Sequence, residues 1–168
     1  MTKIVLLIIA SQGYQPKEYG DTRKVLEAAG YKIEVASDKG GIAFAMPSSN
    51  REKETETRDR DDSQVVVDVV LSKVNSEKYV GVFIIGGPGA VEHLNNKTMY
   101  TLMQYVAEKK KPFGAICISP RILANAGLLK GKKATGWDDD GNLEALYKQH
   151  RVVYIKEPVV VDGFYCYC

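Results

Sequence analysis

The chain has 168 residues, 45% of them apolar and 26% charged, which is enough for one globular domain with a buried core. Its 23 basic and 21 acidic residues leave a formal net charge of +2. That balance offers no electrostatic footprint for nucleic acid or for an anionic membrane, so neither is expected as a partner.

The first element is "KIVLLIIA" (3–10), a lysine followed by a continuous apolar run. It is far shorter than the roughly 20 apolar residues of a membrane span and no small-residue cleavage pattern follows. It reads as a buried first strand of a cytoplasmic protein. "EYGDTRKVLEAAG" (18–30) reads as a helix closed by Gly30, with Val25, Leu26 and Ala29 as its core positions. "YKIEVAS" (31–37) then completes a βαβ unit. Between Ser37 and Val65 the periodicity stops, and "PSSNREKETETRDRDD" (47–62) is polar and mixed in charge. Such a stretch buries nothing substantial, so it is either a solvated excursion or a partner-binding segment.

The pattern resumes with "VGVFIIGG" (80–87), a helix over about 98–110, "KPFGAIC" (111–117), a helix over about 120–127, and "KKATGW" (132–137). Two short strands, "RVVYI" and "PVVVD", come late. Continuous apolar runs argue for parallel strands covered on both faces. The three cysteines, Cys117, Cys166 and Cys168, form no disulfide framework and are expected reduced. The C-x-C at 166–168 reads as surface thiols, since a soft-metal site would need further ligands.

Ligands of an open parallel sheet gather outside the carboxyl ends of its strands. Three features fall at such ends: Ser11 to Glu18, the glycine turn Gly86-Gly87-Pro88-Gly89, and Cys117. A cysteine between strand and helix has its thiolate favoured by the helix terminus and by unpaired amides. The alternative is a buried structural cysteine. The glycine pair can present amides to an anion or be a plain turn, and its spacing matches no dinucleotide or Walker motif. Glu18 suits a helix start for the dipole alone, or could share a proton with the thiol if buried. His93 follows the glycine turn closely enough to be a candidate base, whereas His150 ends a helix, where a cation is favoured anyway.

Four segments resemble the ThiJ/PfpI superfamily, the group with the parkinsonism-associated deglycase and the PfpI intracellular peptidases. "AICISPRILANAGLLKGKKAT" resembles its elbow region, "VNSEKYVGVFIIGGPGA" the strand entering the Gly-Gly turn, "KEYGDTRKVLEAAGYKIEVAS" the first helix, and "EPVVVDG" the late hairpin. The resemblance covers most of residues 3–37 and 64–163. It implies a single α/β domain over 1–168, a flavodoxin-like three-layer sandwich of the class I glutamine amidotransferase type, with a mostly parallel central sheet and a nucleophile elbow. Cys117 would be the nucleophile and Glu18 its protonated partner, with Gly87 and the amide of Ile118 as oxyanion hole. Gly86, Ser119, His93 and Trp137 would be possible substrate contacts. The resemblance also implies a homodimer or larger homo-oligomer, and neither metal nor organic cofactor.

Three departures narrow the function. The peptidase branch carries histidine where this chain has Ile118, and its following glycine is Ser119. The position after "KKAT", often His or Tyr, is Trp137. The chain stops at "DGFYCYC", an apparently shortened end that would leave an aromatic, thiol-bearing tail exposed. The leading expectation is a cysteine-dependent stress protein acting on small reactive carbonyls, as a cofactor-free glyoxalase or deglycase. The alternatives are a PfpI-type cysteine peptidase or amidase, and a non-enzymatic redox sensor whose Cys117 is oxidised to a sulfinate beside Glu18.

Overall fold

A computed structural model describes residues 2–47, 62–163 and 165–168. The polar excursion expected at 47–62 falls, apart from Pro47 and Asp62, outside the described residues.

The amino-terminal apolar run becomes β1 (Ile4–Ile8), in which Leu6, Leu7 and Ile8 are wholly buried. The strand β2 (Gln12–Tyr14) and the helix α1 (Pro16–Ala28) follow. Proline at the first helical position needs no amide partner, and the Gln15 side chain caps the start by accepting from the Lys17 amide at 2.9 Å. Then come β3 (Lys32–Ser37), β4 (Gly41–Ala45), β5 (Gln64–Val67), β6 (Val69–Val70) and β7 (Gly81–Ile84). Two helices, α2 (Pro88–Leu94) and α3 (Lys97–Glu108), lead to β8 (Phe113–Ala115) and α4 (Pro120–Asn125). The chain finishes with β9 (Lys133–Ala134), α5 (Leu143–Gln149), β10 (Val153–Tyr154), β11 (Val160–Asp162) and β12 (Tyr165–Tyr167).

Among the described residues the main sheet has the order β11-β12-β8-β7-β1-β3-β6, and every neighbouring pair is parallel except β11 with β12. One face carries α2 to α5, whose Ala90, Leu94, Met99, Met103, Val106, Leu123 and Tyr147 pack on Leu6, Ile8, Val82 and Ile84. The other carries α1 and a small sheet of order β2-β4-β5, with Tyr14, Tyr19, Ala43 and Val65 against Val5, Leu7 and Ile9. This is a mixed α/β, flavodoxin-like three-layer sandwich with a mostly parallel sheet. Because β3 and β7 flank β1 on opposite sides, the crossovers diverge at β1, which opens a crevice at the carboxyl end of β1 and β7.

Five expectations need correction. Val25 is 67% exposed and Ala29 is exposed as well. The stripe that faces the sheet runs through Tyr19, Arg23 and Leu26, at i, i+4 and i+7, and Val25 sits about 100° round the helix from it. The broken stretch after Ser37 contains β4, which pairs antiparallel with β5. "KKATGW" supplies β9, which leaves the main sheet and pairs with β10. The tail is no loose end, since β12 lies between β11 and β8 with Tyr167 fully buried. For the same reason Cys166 and Cys168 are partly buried and not surface thiols.

Candidate active site

Two strand ends and the first turn of α1 build the site. After β7 the chain turns through Gly86 and Gly87, and both glycines are required by close approach. A Cβ on Gly86 would stand 2.6 Å from the Cys117 Cβ and 2.7 Å from the Glu18 Oε2. Gly87 has φ +101° and a Cβ there would meet the Gly13 carbonyl oxygen at 2.5 Å. After β8 the chain reaches Cys117 in the left-handed region, at φ 62°. For a residue with a Cβ this strain amounts to roughly 1–3 kcal/mol, and surrounding contacts must hold it. Two backbone bonds do so: the Cys117 amide donates to the Cys168 carbonyl at 2.5 Å, and the Trp137 amide donates to the Cys117 carbonyl at 2.7 Å.

Glu18 comes from the first turn of α1, and its Oε2 accepts from the Gly86 amide at 2.9 Å. A hydrogen bond joins its carboxyl to the Cys117 thiol. The amides of Gly87 and Ile118 both point at the Cys117 sulfur. Burial raises the Glu18 carboxyl above its usual range, against the lowering pull of the Cys117 and Gly86 bonds. Burial, followed by the nearby Glu18 charge, pushes the Cys117 thiol up to about 11, while the two amides pull it down. The two amides favour the thiolate as the sequence reading expects, but burial and the Glu18 charge outweigh them. Both shifts disfavour the two groups carrying charge together, because burial and the Glu18 charge each oppose the thiolate.

A cavity of about 360 Å³ lies over these groups, lined by Gln15, Glu18, Met46, Gly87, Pro88, Cys117, Ile118 and Trp137. Its floor is polar and its walls are apolar. Among the described residues no lysine or arginine lines it. Among the described residues no group of three or more His, Cys, Asp or Glu side chains could hold a metal ion, and no helix is long and apolar enough to cross a membrane.

The other candidates fall in different places. Trp137 forms a wall, held by the Arg121 guanidinium 5.4 Å from its ring and by a bond from its Nε1 to Asp139 at 3.1 Å. Ser119 is wholly buried and donates to the Ile85 carbonyl at 2.8 Å, so its hydroxyl braces the turn and does not line the cavity. His93 stays outside the lining, with its Nδ1 3.7 Å from Asp38, and Asp38 in turn holds the Ser11 amide and hydroxyl. His150 caps the far end of α5. Residues not singled out individually in the sequence are Gln15, Pro88 and Met46. Gln15 and Pro88 fall inside the two stretches picked out at strand ends, whereas Met46 follows a strand that the sequence did not reveal.

The model of the DJ-1/PfpI family matches residues 3–165. An uncharacterized protein of Methanocaldococcus jannaschii is 34% identical over 160 residues, covering 95% of this chain and 71% of that one. A deglycase of Pyrococcus horikoshii is 31% identical over 101 residues, which is 59% of this chain and 58% of the deglycase. The solved ThiJ/PfpI domain protein from Brachyspira murdochii superposes with a TM-score of 0.84 at 23% identity, covering 99% of this chain and 87% of that one, a likeness of fold. A strained cysteine after the β8 strand, a carboxyl from the first helix and a glycine turn after β7 thus sit on a backbone shared with these proteins, and the chain belongs to the DJ-1/PfpI family.

Proposed function

We propose that the chain is a cysteine-dependent enzyme acting on small reactive carbonyls, as a glyoxalase or deglycase that needs no cofactor. The observation that carries this reading is the convergence of a thiol, a proton-accepting carboxyl and two amides on one point of a small apolar-walled cavity. The name of the Pyrococcus horikoshii deglycase supports it from a relative matched over just over half its length.

In the proposed reaction the Cys117 sulfur adds to the aldehyde carbon of a 2-oxoaldehyde while Glu18 takes the thiol proton. The carbonyl oxygen becomes the anion of a hemithioacetal, and the Gly87 and Ile118 amides hold it. Glu18 passes the thiol proton to the neighbouring ketone oxygen as it takes the proton of the former aldehyde carbon, giving an enediolate. Returning the latter proton to the neighbouring carbon lets the oxyanion collapse to a thioester, which water cleaves to lactate and the free thiol. Methylglyoxal and water give lactate, with no external oxidant or reductant. The hydrophobic side of Ile118, Met46 and Trp137 would receive the methyl end.

A peptidase reading is less favoured, because Ile118 cannot accept a proton and His93 lies against Asp38 instead of over the cavity. Assembly as a homodimer belongs to this proposal. Ile42, Phe44 and Val66 form an exposed apolar face on the small sheet that a second copy would cover, and sedimentation of the wild type against Val66→Lys tests it. The function itself is tested by lactate release from methylglyoxal with metal chelated and glutathione absent. Steady turnover supports the proposal, and a folded protein that releases none contradicts it.

A further inference from the structure

Three thiols gather at one corner of the main sheet, and the chemistry above uses one of them. The Cys117 amide donates to the Cys168 carbonyl at 2.5 Å, and the Cys168 amide donates to the Ala115 carbonyl at 3.2 Å. Cys168 is therefore the next rung of a ladder that already pairs Tyr165, Cys166 and Tyr167 with Phe113, Gly114 and Ala115. Side chains alternate along a strand, so with Tyr167 buried on the α2–α5 side, Cys166 and Cys168 face the α1 side. The left-handed backbone of Cys117 turns its thiol to Glu18 on α1, and the Glu18 charge reaches Cys168 as well.

Standard bond lengths across the Cys117–Cys168 backbone bond hold the two α carbons roughly 5–6 Å apart. A disulfide spans about 4.4–6.8 Å between α carbons. Cys166 and Cys168 are hydrogen-bonded neighbours on one strand, but residues two apart stand about 6.6 Å from each other with parallel Cβ vectors, and a bridge there would have to buckle the strand.

We propose that Cys168 is the resolving thiol of the elbow, so that a hydroperoxide oxidises Cys117 and Cys168 then closes a reversible Cys117–Cys168 disulfide. The Cys117 sulfur attacks the peroxide oxygen, the O–O bond breaks, and the thiol proton leaves through Glu18 to the departing alkoxide or hydroxide. The Cys168 sulfur next attacks the sulfenic sulfur and water departs with the Cys168 proton. Two thiols are oxidised and one peroxide is reduced to alcohol or water. A dithiol restores both thiols by exchange. The bridge forms before a second oxidation can reach the sulfinic acid, and it blocks the carbonyl site while it lasts. This role shares Cys117 with the proposed carbonyl chemistry but does not require it, because its readout is a bond and not a turnover rate.

The test uses the reduced full chain given one equivalent of hydrogen peroxide, capped with N-ethylmaleimide and digested with trypsin without reductant. Cys117 lies in the tryptic peptide 111–121 and the other two thiols in 157–168. The expected product is these two peptides joined, two hydrogens lighter than their sum apart from one N-ethylmaleimide on Cys166, from a monomer-sized band and with the bond placed at Cys168 by fragmentation. Dithiothreitol should separate them, Cys166→Ser should keep the bridge and Cys168→Ser should lose it. The proposal is overturned if Cys117 ends as a sulfinic acid with Cys168 capped, if the bond maps to Cys166, if it closes within 157–168, or if all three thiols stay capped. Mapping in the wild type decides the matter even where a variant fails to fold.

Discussion

Two hollows in this molecule invite comparison. The larger, about 630 Å³, lies between the turns around Leu71 and Ser76 and the helix α3, lined by Val74, Lys97, Thr101, Leu102 and Tyr105 among others. The smaller, about 360 Å³, lies over Cys117. Volume favours the first and chemistry the second. Among the described residues the larger hollow offers Tyr105, whose hydroxyl donates to the exposed Glu77, whereas the smaller one gathers a thiol, a buried carboxyl and two backbone amides. Sheet topology explains this difference. The smaller hollow sits at the crevice where the crossovers diverge, and the larger one sits where a helix rests on surface turns.

Variants in the two hollows sharpen the comparison. Cys117→Ser should lower methylglyoxal turnover by at least about a thousandfold, because the nucleophile is gone while the fold remains. Glu18→Gln should lower kcat by about 10²–10⁴-fold with little change in fold, since the amide oxygen can still accept from Gly86. Gly86→Ala puts a methyl group against Cys117 and Glu18, so overpacking of about 1–3 kcal/mol should lower Tm by roughly 2–10 °C as well as depress activity. Trp137→Ala should raise KM several-fold while kcat falls less, read from initial rates. Thr101→Val in the larger hollow should change turnover by less than about twofold. A loss at Thr101 equal to that at Glu18 would break the comparison.

Proton linkage supplies a separate check. Because burial and Glu18 raise the Cys117 thiol to about 11, its alkylation by iodoacetamide should climb with pH toward about 11, later than for an ordinary thiol. Glu18→Gln should move that rise to lower pH, since it removes a neighbouring charge that opposes the thiolate. A thiol raised on folding favours the folded state while it is protonated. Its contribution to stability is therefore complete below the ordinary thiol value of 9.0 and is lost as pH rises from there through about 11. Cys168, also raised to about 11, acts in the same direction. Denaturant midpoints measured from pH 8 to 11 should fall, and fall less in Cys117→Ser.

What the sequence revealed follows from where its signals lie. The strands around the site are mostly buried, so "KIVLLIIA", "VGVFIIGG" and "KPFGAIC" announced themselves as unbroken apolar runs, the last two leading into Gly87 and Cys117 and the first into the stretch that reaches Glu18. The small sheet was hidden because β4 is short, opens on Gly41 and alternates exposed with buried residues. Met46 was hidden with it. Ser119 looked like a site residue from its place beside the elbow, but only packing reveals that its hydroxyl turns inward to Ile85. His93 was close in sequence, but its ring lies 3.7 Å from Asp38, which follows β3, a strand distant in sequence. Cys168 gave no sign of its place beside Cys117, because that contact joins residues 51 positions apart through the pairing of β12 with β8.

The central claim is that the Cys117 sulfur forms a bond to a carbonyl carbon. Native mass spectrometry of the intact chain exposed to methylglyoxal, followed by peptide mapping, tests it directly. One added methylglyoxal unit is expected on 111–121 in the wild type and none in Cys117→Ser. An unmodified Cys117, or equal addition to the Cys117→Ser variant through lysines and arginines, would contradict it.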